Sequence, residues 1–262
     1  MSDPSKLSDY SRYFSLRQKV CLVNMSAERN TDIYESLSGI VTFSGVDSLE
    51  IMIINSGHGM HGDHVGKAVF KLTSEALGSG IQVLADLTGV VAGNTYQFRI
   101  HGTLEMFQRR SIPRVDCSVP IFHLQGNYPL ESFRKEWNRA LVHMRDNGPL
   151  PGLVLRETVI NLSAGGIGRT AGSTKPPTPL SIFFITLDEG LPVCALAETV
   201  WEKGVNEEQR FGYRFMNILK TDQERINSFI SDILQKSGGT HLDFKRDWVL
   251  VDKMVADARK SG

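Results

Sequence analysis

The sequence lacks any apolar run long enough to cross a bilayer, and its first residues, Met1 to Lys6, are polar. A membrane-spanning helix needs about 20 predominantly apolar residues, and a secretory signal needs an apolar stretch close to the amino terminus. Both signals are missing from this sequence. It therefore predicts a soluble, cytoplasmic protein.

Cysteine is scarce, and neither sign of charge is in excess. Cys21, Cys117 and Cys194 are scattered, which gives no disulfide framework and no metal-ligand spacing. The 29 Lys and Arg residues balance the 29 Asp and Glu residues, so the chain lacks the global basic field that favours nucleic acid polymers. A small anionic ligand needs only a local basic site, and Arg109, Arg110 and Arg114 supply one.

Catalytic and cofactor motifs are also missing. No Ser/His/Asp order, phosphate-binding loop or paired acidic motif stands out, so we predict neither an enzyme nor a bound cofactor. His58, His61 and His64 recur at three-residue intervals beside Asp63, and imidazoles at such spacing bind zinc or copper. Their glycine-rich surroundings make a poor preorganised cage. A surface hairpin loop is therefore favoured over a metal site.

The first part of the chain reads as short strands. Runs rich in Val, Ile, Leu, Phe and Thr alternate with Gly, Asn, Asp and Ser, a pattern typical of an antiparallel barrel or sandwich. The predicted strands are Leu37–Phe43, Ser48–Asn55, Val65–Leu72, Ile81–Thr88 and Thr95–Phe107. We assign residues 1–106 to an amino-terminal β domain.

Residues 107–238 predict a second β-barrel-type domain with two helices. The predicted strands are Val115–Leu124, Arg156–Ile160, Ile182–Leu187, Val193–Trp201 and Phe211–Met216. Apolar residues recur at helical spacing within 129–147, which predicts an inserted helix that packs on its own domain rather than on a membrane surface. A capping-box pattern at Thr221 predicts a carboxy-terminal helix. The tail, residues 239–262, is predicted to be partly helical.

Two short motifs carry the chemistry. Arg110 and Arg114 form Arg-x-x-x-Arg, and a guanidinium binds phosphate or guanine by paired hydrogen bonds and stacks on bases. Asn161 and Ser163 belong to Asn-x-Ser-x-x-Gly and offer an amide and a hydroxyl to a polar base edge. The motif also contains Gly165 and Gly166. Because glycine has no side chain, a ligand can approach the main chain closely at these positions. A second Arg-x-x-x-Arg, Arg210–Arg214, reads as a strand with Phe211 and Tyr213 on the opposite side.

In this order the motifs resemble the ligand site of a PilZ domain, the bacterial receptor module for cyclic di-GMP. The resemblance implies that Arg110 and Arg114 contact guanine and phosphate, that Asn161 and Ser163 contact a guanine edge, and that Gly166 shapes the turn. Arg109 supplies a third guanidinium, which we expect to stack on a second ligand molecule. The amino-terminal half is similar to the domain that accompanies PilZ in flagellar-brake-type proteins.

The resemblance implies a cyclic di-GMP effector whose interdomain arrangement changes when the ligand binds. Such a protein regulates motility or surface attachment through a protein partner such as the flagellar motor, and is recruited from the cytoplasm to the flagellar basal body. Three alternatives stay open: a degenerate PilZ protein that acts only as a protein-interaction scaffold, a metal-binding module built on the histidines, and an enzyme.

Overall fold

A computed structural model describes residues 9–28, 31–55, 65–76, 79–107, 113–171, 178–205 and 208–237. After a 3-10 turn at Tyr10–Arg12, the elements in chain order are β1 (Lys19–Asn24), α1 (Met25–Glu28), β2 (Ile33–Glu35), β3 (Leu37–Ser44), β4 (Ser48–Ile53), β5 (Val69–Ala76), β6 (Ser79–Ala92), β7 (Thr95–Phe107), β8 (Val115–Gly126), α2 (Leu130–Asn147), β9 (Arg156–Ser163), β10 (Gly166–Ala171), β11 (Leu180–Ile185), β12 (Val193–Val205), β13 (Glu208–Leu219) and α3 (Lys220–Lys236).

The first of two compact units is a closed antiparallel barrel with the strand order β1-β3-β4-β7-β6-β5. Alternate residues of β4 are buried, as period-2 side-chain alternation requires. At the centre, the rings of Phe70 and Phe98 meet edge to face with centroids 5.5 Å apart. The sequence did not predict β1, because its six residues do not alternate strictly, and β5 begins at Val69 rather than Val65.

The second unit is also a closed barrel. Its strands follow the order β10-β9-β8-β11-β12-β13, and β10 pairs with β13 to close it. The unit includes Asp32–Tyr34, so it is not contiguous in sequence: β2 lies beside β13, and the Lys220 amide donates to the Asp32 carbonyl at 2.8 Å. Two barrels with an inserted and a carboxy-terminal helix confirm the predicted fold class.

The inserted helix α2 forms a hydrophobic cluster with the barrel wall, separate from the core inside the second barrel. Trp137 is 2% exposed, and its indole Nε1 donates to the Cys194 carbonyl at 3.0 Å. Because α2 covers the outer face of β11, every residue of that strand is buried. The prediction that α2 packs on its own domain is confirmed. In the part of the chain that the structure describes, no helix has the length and apolar character to span a membrane.

The carboxy-terminal helix α3 starts without the predicted capping box. Leu219 is the N-cap residue and makes no side-chain capping bond, so the prediction of a Thr221 cap was wrong. Tertiary contacts hold the first turn instead: the Lys220 amide donates to the Asp32 carbonyl at 2.8 Å, and Arg225 reaches Asp188 at 2.7 Å. Within the helix, buried Asp222 accepts a hydrogen bond from Arg225 at 3.0 Å. The predicted helical tail, 239–262, lies outside the described residues.

Candidate functional site

Strand pairing brings the two sequence motifs together. Val115 pairs with Leu162 and Asp116 pairs with Asn161, so Arg114, one residue before Val115, lies beside the Asn161 segment. Arg114 is exposed. The remaining arginines of the first motif and the three candidate metal ligands fall outside the described residues; these are Arg109, Arg110, His58, His61 and His64.

One row of paired residues crosses five strands on the outer surface of the second barrel. Its members share the outward face and are directly opposite one another in register: Asp116, Asn161, Gly168, Gly212 and Trp201. The neighbouring row is buried and points inward, as alternation requires; it contains Val115, Leu162, Ile167 and Tyr213. We call the outward set the central row.

The middle of the central row has no side chains. Gly168 and Gly212 lie between Asn161 and Trp201, a distance of three strand spacings or about 14 Å. The Trp201 indole lies over Gly212, where a Cβ would collide with it, and 44% of Trp201 stays exposed. The indole covers Gly212, so the part of the row left open is Gly168, between the Asn161 amide and the indole. An open glycine beside an aromatic ring suits a planar base, because every base has a face that stacks.

A β-bulge sets the position of Trp201. Thr199 pairs with Tyr213 and Trp201 pairs with Gly212, so Val200 is an extra residue in β12. A bulge re-aims the side chains that follow it. Sequence reasoning noted Trp201 only as a strand end and missed the two strand glycines, although glycine inside a strand signals close approach of a ligand or another backbone.

Asn161 and Asp116 form a fixed pair at one end of the central row. The Asn161 amide Nδ2 donates to Asp116 Oδ1 at 2.9 Å. A carboxylate only accepts hydrogen bonds, so the NH2 group of Asn161 must face Asp116. Asn161 Oδ1 is therefore left as an acceptor. Sequence reasoning did not single out Asp116, because the pairing depends on strand register.

Ser163 closes the hairpin between β9 and β10. It is 4% exposed, and its hydroxyl donates to the Gly166 carbonyl at 3.2 Å. The Gly165 carbonyl accepts from the Phe215 amide at 3.0 Å, and the Ala164 carbonyl accepts from Gln223 at 3.2 Å. The hairpin that follows Asn161 is thus tied to both β13 and α3. The predicted contact of Ser163 with a guanine stays a prediction.

Gly166 sits where two backbones meet. It pairs with Arg214 of β13, and a Cβ at Gly166 would lie closer than 3.0 Å to the carbonyl oxygen of Tyr213. The requirement is for space, since the Gly166 backbone is not left-handed. Here the glycine admits the neighbouring strand, which closes the barrel beside the central row.

Arg214, the last residue of the second Arg-x-x-x-Arg motif, has a structural role. Phe211 and Tyr213 are buried inside the barrel, which confirms the predicted facing of this strand. Arg214 forms an ion pair with buried Glu198 on β12. Removing one partner of a buried pair leaves an uncompensated charge, so Arg214 stabilises the barrel wall.

The interior of the barrel holds a neutral histidine. His123 stacks on Phe183 with ring centroids 4.2 Å apart, and its Nδ1 lies 2.5 Å from Arg169 Nη1 and 2.7 Å from Gln125 Nε2. Burial and the nearby Arg169 charge lower the pKa of His123 to about 3. Both neighbours are nitrogen donors, so Nδ1 is the accepting nitrogen of the ring.

This histidine should make the protein acid-sensitive. In the unfolded chain it takes up a proton as pH falls through about 6.5, whereas folded His123 stays neutral until about pH 3, so acid favours unfolding. We expect the free energy of unfolding to fall by about 1–2 kcal/mol more between pH 7.5 and 5 in the wild type than in His123→Gln. Urea unfolding at both pH values measures this.

His143→Gln, a change on the surface helix α2, is the matched control and should keep the wild-type pH dependence. Equal pH dependence in His123→Gln and the wild type would contradict the assignment of His123 as a buried neutral group.

Residues 108–232 match the family model described as the PilZ domain. The matched span contains both sequence motifs and the whole central row. The search of curated proteins gave no match.

Several solved structures are similar to the chain over most of its length. The Bacillus subtilis inhibitor of motility MotI/DgrA is 14% identical, with 85% of this chain and 99% of that chain covered and a TM-score of 0.35. YcgR from Escherichia coli in complex with c-di-GMP is 14% identical, with coverage of 84% and 85% and a TM-score of 0.32. The K. pneumonia MrkH–c-di-GMP complex is 14% identical, with coverage of 85% and 89% and a TM-score of 0.30.

Proposed function

Because residues 108–232 match the PilZ domain model, we propose that the protein is a cyclic di-GMP receptor that acts as an effector and not as an enzyme. The observation that carries the proposal is the central row. It offers an open surface over Gly168, between Asn161 and the Trp201 indole, next to the exposed Arg114.

The ligand has two parts that need different partners. Its phosphates are anionic, and the planar guanidinium groups of Arg110 and Arg114 bind phosphate by paired, charge-assisted hydrogen bonds. Its guanine lies over Gly168, with the edge toward Asn161 and Trp201 at the opposite end of the row. Base stacking on an aromatic ring contributes about 1–3 kcal/mol.

The other residues of the Asn-x-Ser-x-x-Gly motif hold Asn161 in position. Ser163 holds the hairpin that carries Asn161, because its hydroxyl bonds to Gly166 and the carbonyls of Ala164 and Gly165 bond to α3 and β13. Gly166 lets β13 approach and so brings Gly212 beside Gly168. In this proposal Asn161 and Ser163 contact the guanine edge, while Gly165 and Gly166 shape the turn that holds them in position.

The effect of ligand binding on the rest of the protein follows from the position of Arg109 and Arg110 in the sequence. Arg109 and Arg110 belong to the segment that joins the two units, so a ligand that binds them also constrains that connection. The resulting interdomain change would present a surface to a protein partner such as the flagellar motor, at the basal body. An interdomain label distance that stays constant on saturation with cyclic di-GMP would contradict this step.

Calorimetric titration of the purified full-length chain with cyclic di-GMP tests the receptor proposal. We expect saturable binding, and two ligands per chain if Arg109 stacks on a second molecule; one per chain would overturn the Arg109 hypothesis alone. Chromatography should recover the ligand unchanged, as a receptor requires. Absence of both heat and a rise in melting temperature would overturn the proposal and favour the interaction scaffold.

A further inference from the structure

We propose that Asp116 selects guanine over adenine at this site. The inference rests on the proposed function and extends it to a residue outside both sequence motifs. Asp116 is exposed at the end of the central row, directly opposite Asn161 and two residues after Arg114.

The hydrogen bond between Asp116 and Asn161 determines which of their polar atoms are left to contact a ligand. Asn161 Nδ2 is used by Asp116 Oδ1, at 2.9 Å. What remains is one acceptor oxygen on each residue, Asn161 Oδ1 and Asp116 Oδ2, together with the second N–H of Asn161 Nδ2. In the part of the chain that the structure describes, no side chain forms an ion pair or a hydrogen bond with Asp116 Oδ2. Asp116 itself therefore presents an acceptor and no donor.

Two acceptors match guanine and reject adenine. The Watson–Crick edge of guanine carries two adjacent donors, N1–H and the exocyclic N2–H2, whereas adenine has an acceptor at N1. Proteins that bind an unpaired base commonly read this edge by hydrogen bonds. Adenine would place its N1 lone pair against the Asp116 carboxylate, which has no hydrogen to donate, so this contact is unfavourable.

Asp116 also fixes the orientation of the Asn161 amide. A free carboxamide can rotate and exchange the positions of its NH2 group and its carbonyl oxygen. With Asp116 as its partner, the NH2 group is held toward the carboxylate and Oδ1 stays on the opposite side of the amide. The carboxylate thus acts both as a direct acceptor and as a positioning residue for Asn161.

Neutralising Asp116 should change the ligand affinity in opposite directions depending on whether Asp116 acts through its charge or through hydrogen bonds to guanine, so the substitution distinguishes the two roles. A carboxylate beside a site for a dianion repels the ligand, so neutralising it would strengthen binding if Asp116 contributed only charge. If Asp116 reads guanine, neutralising it must weaken binding. The substitution Asp116→Asn is nearly isosteric and keeps an oxygen that can accept from Asn161, but it replaces one acceptor with a donor.

The test is calorimetric titration of the full chain with cyclic di-GMP and with cyclic di-AMP, at one salt concentration. Glu157→Gln is the matched control, because Glu157 is an exposed carboxylate that accepts a bond from Ser118 at 2.9 Å across the same two strands. We expect Asp116→Asn to bind cyclic di-GMP about tenfold or more weakly. Its preference over cyclic di-AMP should shrink by a similar factor, while Glu157→Gln keeps wild-type affinity or gains slightly.

Two outcomes overturn the inference in different ways. If wild type binds cyclic di-GMP and Asp116→Asn binds it equally well or better, Asp116 does not read the base, and the receptor function stands. If wild type binds neither nucleotide, the receptor function fails and the inference fails with it. An unchanged melting temperature for Asp116→Asn confirms that its fold is intact.

Discussion

Replacing Arg114 with alanine should weaken cyclic di-GMP binding by about 30- to 150-fold. The proposed role of Arg114 is a charge-assisted contact with a phosphate or a guanine, and loss of such a partner costs about 2–3 kcal/mol. Arg114 is exposed and lies at the start of β8, beside the strand that carries Asn161. Calorimetry at constant salt measures the change, because phosphate contacts are screened by ions.

Two further variants separate charge from geometry. Arg114→Lys retains the charge but loses the planar fork, so its affinity should fall between wild type and Arg114→Ala. Arg210→Ala removes an exposed arginine from the second Arg-x-x-x-Arg, on the outward face of β13 two residues from Gly212. We expect it to change affinity by less than about threefold. An equal loss in Arg114→Ala and Arg210→Ala would show that only the overall charge matters.

Gly166→Ala should produce the largest loss of stability, about 3 kcal/mol in the free energy of unfolding. The added methyl group would meet the carbonyl of Tyr213, and a strand backbone cannot rotate away as a side chain can. Forcing an extra methyl group into a packed site costs about 1–3 kcal/mol, and a backbone clash places Gly166→Ala at the upper end. Urea unfolding of the full chain measures the change.

Gly168→Ala is the control for this substitution. Gly168 lies two residues along the same strand on the same outward face, but its new Cβ would only touch the Cβ of Asn161 at 3.4 Å. We expect its stability to stay within about 0.5 kcal/mol of wild type. Its ligand affinity should fall, because the methyl group would stand on the surface proposed for guanine. Equal stability of both variants would contradict the spatial role of Gly166.

The sequence alone determined the fold class, the inserted helix and the location of both motifs. These features are local: helical spacing marked α2, punctuation by turn residues marked most strands, and the motif residues are close together along the chain. Local patterns are readable because side-chain periods of 2 and 3.6 are properties of the strand and the helix themselves.

The tertiary structure decided what the local patterns do not encode. No strand was predicted over Gly166–Ala171, yet this segment is strand β10, because Gly166 admits the backbone of β13. Helix α3 starts at Lys220 rather than at a capping box, and the Lys220 amide donates to the carbonyl of Asp32 in a distant part of the sequence. In both places a contact between distant parts of the chain overrode the local preference.

The central row shows most clearly which site residues the sequence predicted and which only the tertiary structure revealed. The sequence supplied Asn161 and Arg114, because their motifs are short. It did not supply Asp116, Gly168 or Trp201 as site residues, because their adjacency depends on the register of five strands and on a bulge at Val200. A shift of one residue in a strand moves every side chain to the other face. The sequence therefore identified the chemistry of the site, and the folded barrel determined which residues surround it.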